Sequence, residues 1–316
     1  MRRQIFAATL ALSLVTAIAS SGASLRFEKV SNHCYYLRLS PGAANVIAVV
    51  TEDGILIMDP PPEPDLTVMV EALKRVSPKA VRWVVFSSPR SAVLEGARYF
   101  AEKGAALLAG SQLYALASAA PGKAAPGGGP PVDLSSLQWI VFNKQIQVFP
   151  ANLEIRVLAL QHRAQTGGDV VVFVPDEKVL FAGNFYEAGR YPEIDTGLKG
   201  NAGQWIDALK EVVDFVPLLK QAIVRTKPQP KTDPKEEPEK TLEEGITVIS
   251  AQGEVSNFQN MKDLLGVSQK LRADMSKAIK GGRSCESYLA SPRADAYRGY
   301  ANFDSFAAQL CKEMRE

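Results

Sequence analysis

The turn Ser87-Ser88-Pro89-Arg90-Ser91 follows an apolar stretch, Val84-Val85-Phe86, and precedes a helical pattern that starts near Leu94. The crevice beyond the carboxyl end of a strand is where open α/β sheets place their ligands. This turn offers hydroxyls and one guanidinium there, with no His, Cys, Asp or Glu. A serine hydroxyl becomes a nucleophile only beside a general base, and the chain holds just two histidines, His33 and His162. His33 adjoins Cys34 in "NHCYYLRL", a strand pattern in which neighbouring side chains point to opposite faces. We therefore read Cys34 as a small buried residue and not as half of a Cys–His pair. His162, in "LALQHRAQTGGD", reads as a partly exposed loop residue. Glu187 and Asp195 read as loop carboxylates. "GLKG" and "PGGGP" do not join a strand to a helix, so they are no phosphate loop.

The elements that must position these residues follow from periodicity. "CYYLRLS" and "ANVIAVVTEDGILIMDP" are strand patterns, the second folded at Glu52-Asp53-Gly54. "DLTVMVEALKRVSP" places Leu66, Met69, Val70, Leu73 and Val76 at helical spacing. "AVRWVVF" and "AALLAGS" are strands with the helix "VLEGARYFAEK" between them. Further strands are expected at "QWIVF", "KQIQVF", "LEIRVLAL", "DVVVFVP", "KVLFAG" and "GITVIS", with helices at "AGQWIDALKEVVDFVPLLKQ" and through most of the chain after residue 256. The Pro/Gly/Ala-rich stretch at about 118–135 and the charged, Pro-rich stretch at about 226–243 read as mobile loops within one domain, because strands needing partners lie on both sides of them.

With 46% hydrophobic and 22% charged residues the composition is globular, and a net charge of +2 over 316 residues argues against a nucleic-acid partner. "MRRQIFAATLALSLVTAIASSGAS" has a positive start, an apolar core and the small-x-small sequence Ala17-Ile18-Ala19, so residues 1–19 read as a signal peptide. An exported protein, periplasmic or extracellular and with no membrane segment in its mature form, is the expectation. The alternative is an N-terminal anchor that stays attached. Export permits disulfides. Three cysteines leave at least one thiol free or paired between chains; Cys285 and Cys311, both in the C-terminal region, are the candidate pair.

Four stretches, in order, resemble the metallo-β-lactamase superfamily. "NVIAVVTEDGILIMDP" is similar to its early hairpin ending in an Asp, here Asp59. "VRWVVFSSPRSAVLEGARYF" is similar to the strand, turn and helix that carry a His-x-His-x-Asp-His signature. "QTGGDVVVFVPDEKVLFAGNF" resembles the His-Thr-x-Gly-Asp stretch with its following strands and Gly-Asp, and "ITVISAQGEVSNFQNMKDLL" resembles the strand and Pro-Gly-His-Gly turn before the last helices. The resemblance covers about residues 26 to 280. It implies an α+β fold, a four-layer αβ/βα sandwich, here with a C-terminal helical extension over 281–316. It also implies that Asp169 braces its turn and that Asp59 is structural.

The departures from that pattern bear on function. Aligned on Gly96 and Tyr99-Phe100, the ligand positions of the second stretch fall on Ser88, Arg90, Ala92 and Val93. Gln165 stands where the third stretch has His, Asn184 where it has the bridging Asp, and Gln252 where the last has His. Zinc takes thiolate, imidazole or carboxylate ligands. Neutral amides bind it poorly, and a guanidinium about 4 Å from a unit positive charge is repelled by roughly 4 kcal/mol at an effective dielectric near 20. Without metal, no bound water is acidified toward neutrality. The reading is a protein with no cofactor and no catalytic residue, whose cleft residues Ser88, Arg90, Gln165, Asn184 and Gln252 hold a small polar or anionic ligand, or a protein partner. Two alternatives stand beside it. One is a hydrolase of esters, lactones or β-lactams using unconventional metal ligands; the other is a structural or interaction protein whose cleft is filled by its own side chains.

Overall fold

The computed structural model describes residues 25–39, 44–118, 137–224 and 245–315, with the backbone alone at 91–93 and 217–224. The N-terminal segment 1–19, the loop at 226–243 and all but the first residue of the loop at 118–135 lie outside the described residues.

The first half of the chain builds one sheet. Strands β1 (Glu28–Lys29), β2 (Cys34–Arg38), β3 (Asn45–Thr51) and β4 (Gly54–Met58) run antiparallel, and the turn at Glu52-Asp53-Gly54 closes the β3–β4 hairpin. Helix α1 (Asp65–Val76) then crosses to β5 (Val81–Val85), and α2 (Ser91–Ala101) crosses to β6 (Ala106–Gly110). After α3 (Ser111–Ser118) comes β7 (Trp139–Phe142), and β4 to β7 pair in parallel. Sheet order is β1-β2-β3-β4-β5-β6-β7.

The second half builds another sheet from β8 (Gln145–Val148), β9 (Ile155–Ala159), β10 (Val170–Val174), β11 (Val179–Gly183), β12 (Thr247–Ser250) and β13 (Ser256–Asn257). Its order is β13-β12-β11-β10-β9-β8. Helix α4 (Ala202–Val224) lies between β11 and β12. Helices α5 (Phe258–Lys280), α6 (Cys285–Leu289), α7 (Pro292–Asp295) and α8 (Phe303–Glu313) follow.

Strand β10 shows why these pieces make layers. Every residue of Val170–Val174 is buried, and successive side chains leave a strand on opposite faces. Val170, Val172 and Val174 join the core shared with the first sheet, α1 and α2, whereas Val171 and Phe173 join a second core with α4, α5 and α8. A strand covered on both faces reads as a continuous apolar run, as this one does. The product is helices, sheet, sheet, helices: the four-layer α+β arrangement. Helices α6 and α8 complete the second core with Tyr288, Phe306 and Leu310, and a disulfide joins Cys285 to Cys311.

The structure departs from the sequence reading at two elements near the first sheet. Helix α2 begins at Ser91 rather than near Leu94, because the turn ends at the extended Arg90, which caps the helix. Helix α3, which the sequence reading leaves unassigned, follows β6 directly. Leu113 is its buried anchor, and Gly168 packs against it so closely that a Cβ there would lie 2.7 Å from the Leu113 Cα.

Helix α2 is also pressed onto the chain after β4. A Cβ built on Gly96 would lie 2.2 Å from the Pro61 carbonyl oxygen and 2.4 Å from that of Pro60. Backbone cannot give way as a flexible side chain can, so Gly96→Ala is expected to destabilise the fold by about 2 kcal/mol, the usual scale of overpacking. Urea unfolding measures it; an unchanged midpoint would contradict this packing.

Candidate functional site

The carboxyl ends of β4, β5, β11 and β12 are drawn to one point by backbone hydrogen bonds. Asp59, one residue past β4, adopts a left-handed φ of 55°, and its Oδ1 accepts from the Ser87 N–H at 2.8 Å. Ser87 in turn offers its carbonyl to the Val170 N–H at 2.9 Å, and Gly183 offers its own to Ala251 at 2.7 Å. Gly183 has φ of 55°, and a Cβ there would lie 2.2 Å from the Ser87 Cβ. Only glycine allows the ends of β5 and β11 to meet so closely.

Two neighbouring loops complete the site. Thr166 donates its N–H and hydroxyl to the Asp169 carboxylate at 2.7 and 2.8 Å, so Asp169 does brace its turn. The Gln165 carbonyl accepts from Asp195 N–H at 2.9 Å, and Gly167 N–H donates to the Leu198 carbonyl at 2.7 Å. A Cβ on Gly200 would lie 2.1 Å from the Gln165 carbonyl oxygen, so the 195–200 loop sets where Gln165 sits. On the other side, Arg38 donates to the Gly253 carbonyl at 3.1 Å and to Glu254 at 2.7 and 3.0 Å. That pair holds the turn carrying Gln252.

A pocket of about 80 Å³ opens at this point, lined by Arg90, Gln165, Asn184 and Gln252 together with Tyr186, Glu187, Arg190 and Glu193. Four of the five residues singled out from sequence thus meet on one wall. Ser88 is the exception: it is wholly buried, its Oγ has no hydrogen-bond partner, and it does not line the pocket. His162 is exposed and pairs with Glu211 at 3.1 Å, away from the pocket. His33 pairs with Glu177 at 2.6 Å in a separate cleft, and Cys34 is a buried free thiol. Burial pushes that thiol up to about 12, which leaves it protonated and unreactive at neutral pH.

The sequence reading passed over Arg190 and Glu193 and left Glu187 as a loop carboxylate. Glu187, Arg190 and Glu193 recur at intervals of three immediately after Gly183-Asn184. That spacing, directly behind a matched stretch, was the available signal. In the structure Arg190 stands 3.7 Å from Glu187 and 3.9 Å from Glu193, close enough to attract but too long to hydrogen-bond.

Electrostatics centre on Arg90. Among the described residues no hydrogen bond or ion pair holds its guanidinium, yet its charge is felt by two buried carboxyls. Burial pushes Asp59 up to about 6, opposed by its hydrogen bonds from Ser87 and by Arg90. Asp169 is pushed up to about 7 by burial, opposed by the Thr166 hydrogen bonds and by Arg90. The Asp59 Oδ2 and the Gln165 Oε1 are buried without partners. An unpaired buried polar atom is costly, so Gln165, only 7% exposed, leaves an acceptor unsatisfied at the pocket.

No family model matches the chain, and no curated protein matches it either. Solved structures do. DIM-1 metallo-β-lactamase superposes with a TM-score of 0.54 at 17% identity, over 78% of this chain and 98% of its own. The metallo-β-lactamase FIM-1 from Pseudomonas aeruginosa, in its mono-zinc form, gives 0.54 at 13%, over 78% and 95%. A double mutant of the sec-alkyl sulfatase PisA1 gives 0.62 at 12%, over 92% of this chain and 50% of its own. The chain has the metallo-β-lactamase fold.

One of these structures, FIM-1, holds zinc, and the residues of the pocket here do not fit such an ion. Among the described residues no group of three His, Cys, Asp or Glu side chains stands together as a metal-holding set. The pocket instead presents two guanidiniums, three amides and two carboxylates already drawn to Arg190. Of the side-chain types that bind zinc this lining holds two carboxylates, one short of the three protein ligands of a catalytic zinc site.

Proposed function

We propose that this chain is an exported, non-catalytic protein of the metallo-β-lactamase fold that binds a small polar or anionic ligand where related enzymes hold zinc. One observation carries the reading: Arg90, a guanidinium with no hydrogen-bond or ion-pair partner among the described residues, and Gln165, an amide with an unpartnered buried oxygen, line the same small pocket. A protein with a filled cleft would satisfy both internally. Unmet hydrogen-bonding capacity around a concave space is what a polar ligand completes. Export rests on the N-terminal sequence pattern and on a disulfide that needs an oxidising compartment.

Two measurements test this. Protein purified without chelator is expected to hold far less than one equivalent of zinc, iron or manganese; one or two equivalents would sink the metal-free reading. Small carboxylates and phosphate are expected to raise the melting temperature of the parent, and Arg90→Ala to remove the rise. Equal stabilisation of parent and variant would place the ligand elsewhere.

A further inference from the structure

The charges around the pocket suit a ligand that carries more than an anionic group. Among the described residues nothing pairs with Arg90, whereas Arg190 is shared by two carboxylates, Glu187 and Glu193, at 3.7 and 3.9 Å. One part of the lining therefore presents a guanidinium without a close ion pair and another a surplus of carboxylate. An anion on Arg90 would leave that surplus of carboxylate unmet. A lone cation would leave Arg90 unmet.

We propose that the pocket selects a small zwitterion, a free α-amino acid: its carboxylate on Arg90, in the two-pronged geometry a guanidinium offers, and its ammonium on Glu187. This rests on the ligand-binding reading above and names the ligand class. Size agrees. The space of about 80 Å³ is that of two or three waters at roughly 30 Å³ each, which suits the ammonium and carboxylate ends. Gln252 and Glu193 are exposed at the rim, so a side chain points out to solvent and is not the part recognised.

Calorimetric titration of the full purified chain with glycine, acetate and methylammonium tests the assignment. Glycine is expected to bind at least tenfold more tightly than either fragment. Arg90→Gln and Glu187→Gln are each expected to weaken glycine at least tenfold, while Glu187→Gln leaves acetate unchanged or tighter. Melting curves of each variant confirm that it folds. Acetate binding as tightly as glycine would overturn the zwitterion assignment and leave the anion-binding reading intact. Binding of none of the three probes, with phosphate also silent, would overturn both.

Discussion

Replacing Cys285 and Cys311 together by serine is expected to lower the unfolding free energy by roughly 3 to 4 kcal/mol. The bond closes a loop spanning 26 positions, and the chain-entropy relation gives about 3.5 kcal/mol for a loop of that length. The closed segment contains α6, α7 and most of α8, short helices that would be marginal in isolation. They contribute Tyr288, Phe303 and Phe306 to the second core, and Phe306 stacks on Tyr191 with ring centroids 4.9 Å apart. Tyr191 is buried immediately beside the loop that carries Arg190, and its N–H donates to the Ala301 carbonyl at 3.0 Å. Loosening the C-terminal helices should therefore reach the pocket as well as the global stability. Denaturant unfolding of parent and variant under oxidising conditions gives the number. A difference below 1 kcal/mol would mean that packing alone holds these helices.

Asp59→Asn is expected to flatten a fall in stability with rising pH. The Asp59 carboxyl is raised from 3.8 to about 6 by burial. Between those values the folded protein keeps a proton that the unfolded chain has released. Stability from this group is complete below about pH 4 and is lost as pH rises through about 6, the sign that applies when the native state binds the extra proton. At about 1.4 kcal/mol per pKa unit, the loss is on the order of 3 kcal/mol. Asparagine tolerates the left-handed backbone at this position and its carbonyl can still accept from Ser87. The variant should match the parent near pH 4 and exceed its stability near pH 7.5. Urea midpoints at the two pH values decide it; equal pH dependence in parent and variant would show that Asp59 ionises as it does in the unfolded chain.

The pocket depends on close backbone approaches as much as on the side chains that line it. Gly183 lets β11 meet Ser87, and Gly200 lets the 195–200 loop carry Gln165. These positions explain how amide side chains on separate loops arrive at one small space. They also explain why Ser88 does not take part. The turn after β5 is drawn inward by the Asp59–Ser87 and Ser87–Val170 hydrogen bonds, which enclose Ser88 and leave Arg90 as the residue of that turn that reaches the pocket.

Much of the fold was legible without coordinates. Alternation and apolar runs marked β2 to β12, because a strand buried on one or both faces must carry its apolar residues in that pattern. The order of four short stretches was enough to suggest the four-layer arrangement, and a count of two histidines bounded the metal chemistry whatever the alignment. The residues Arg90, Gln165, Asn184 and Gln252 could be picked out because each stands at a ligand position of the pattern those four stretches resemble. Tertiary structure alone decided the start of α2, the burial of Ser88 and the presence of Glu187, Arg190 and Glu193 on the pocket wall. Those outcomes turn on hydrogen bonds between residues far apart in the chain, such as Ser87 with Val170 and Gln165 with Asp195. Local periodicity reports which face of an element is apolar; it carries no record of where a polar loop comes to rest, since that is set by whichever distant backbone groups satisfy it.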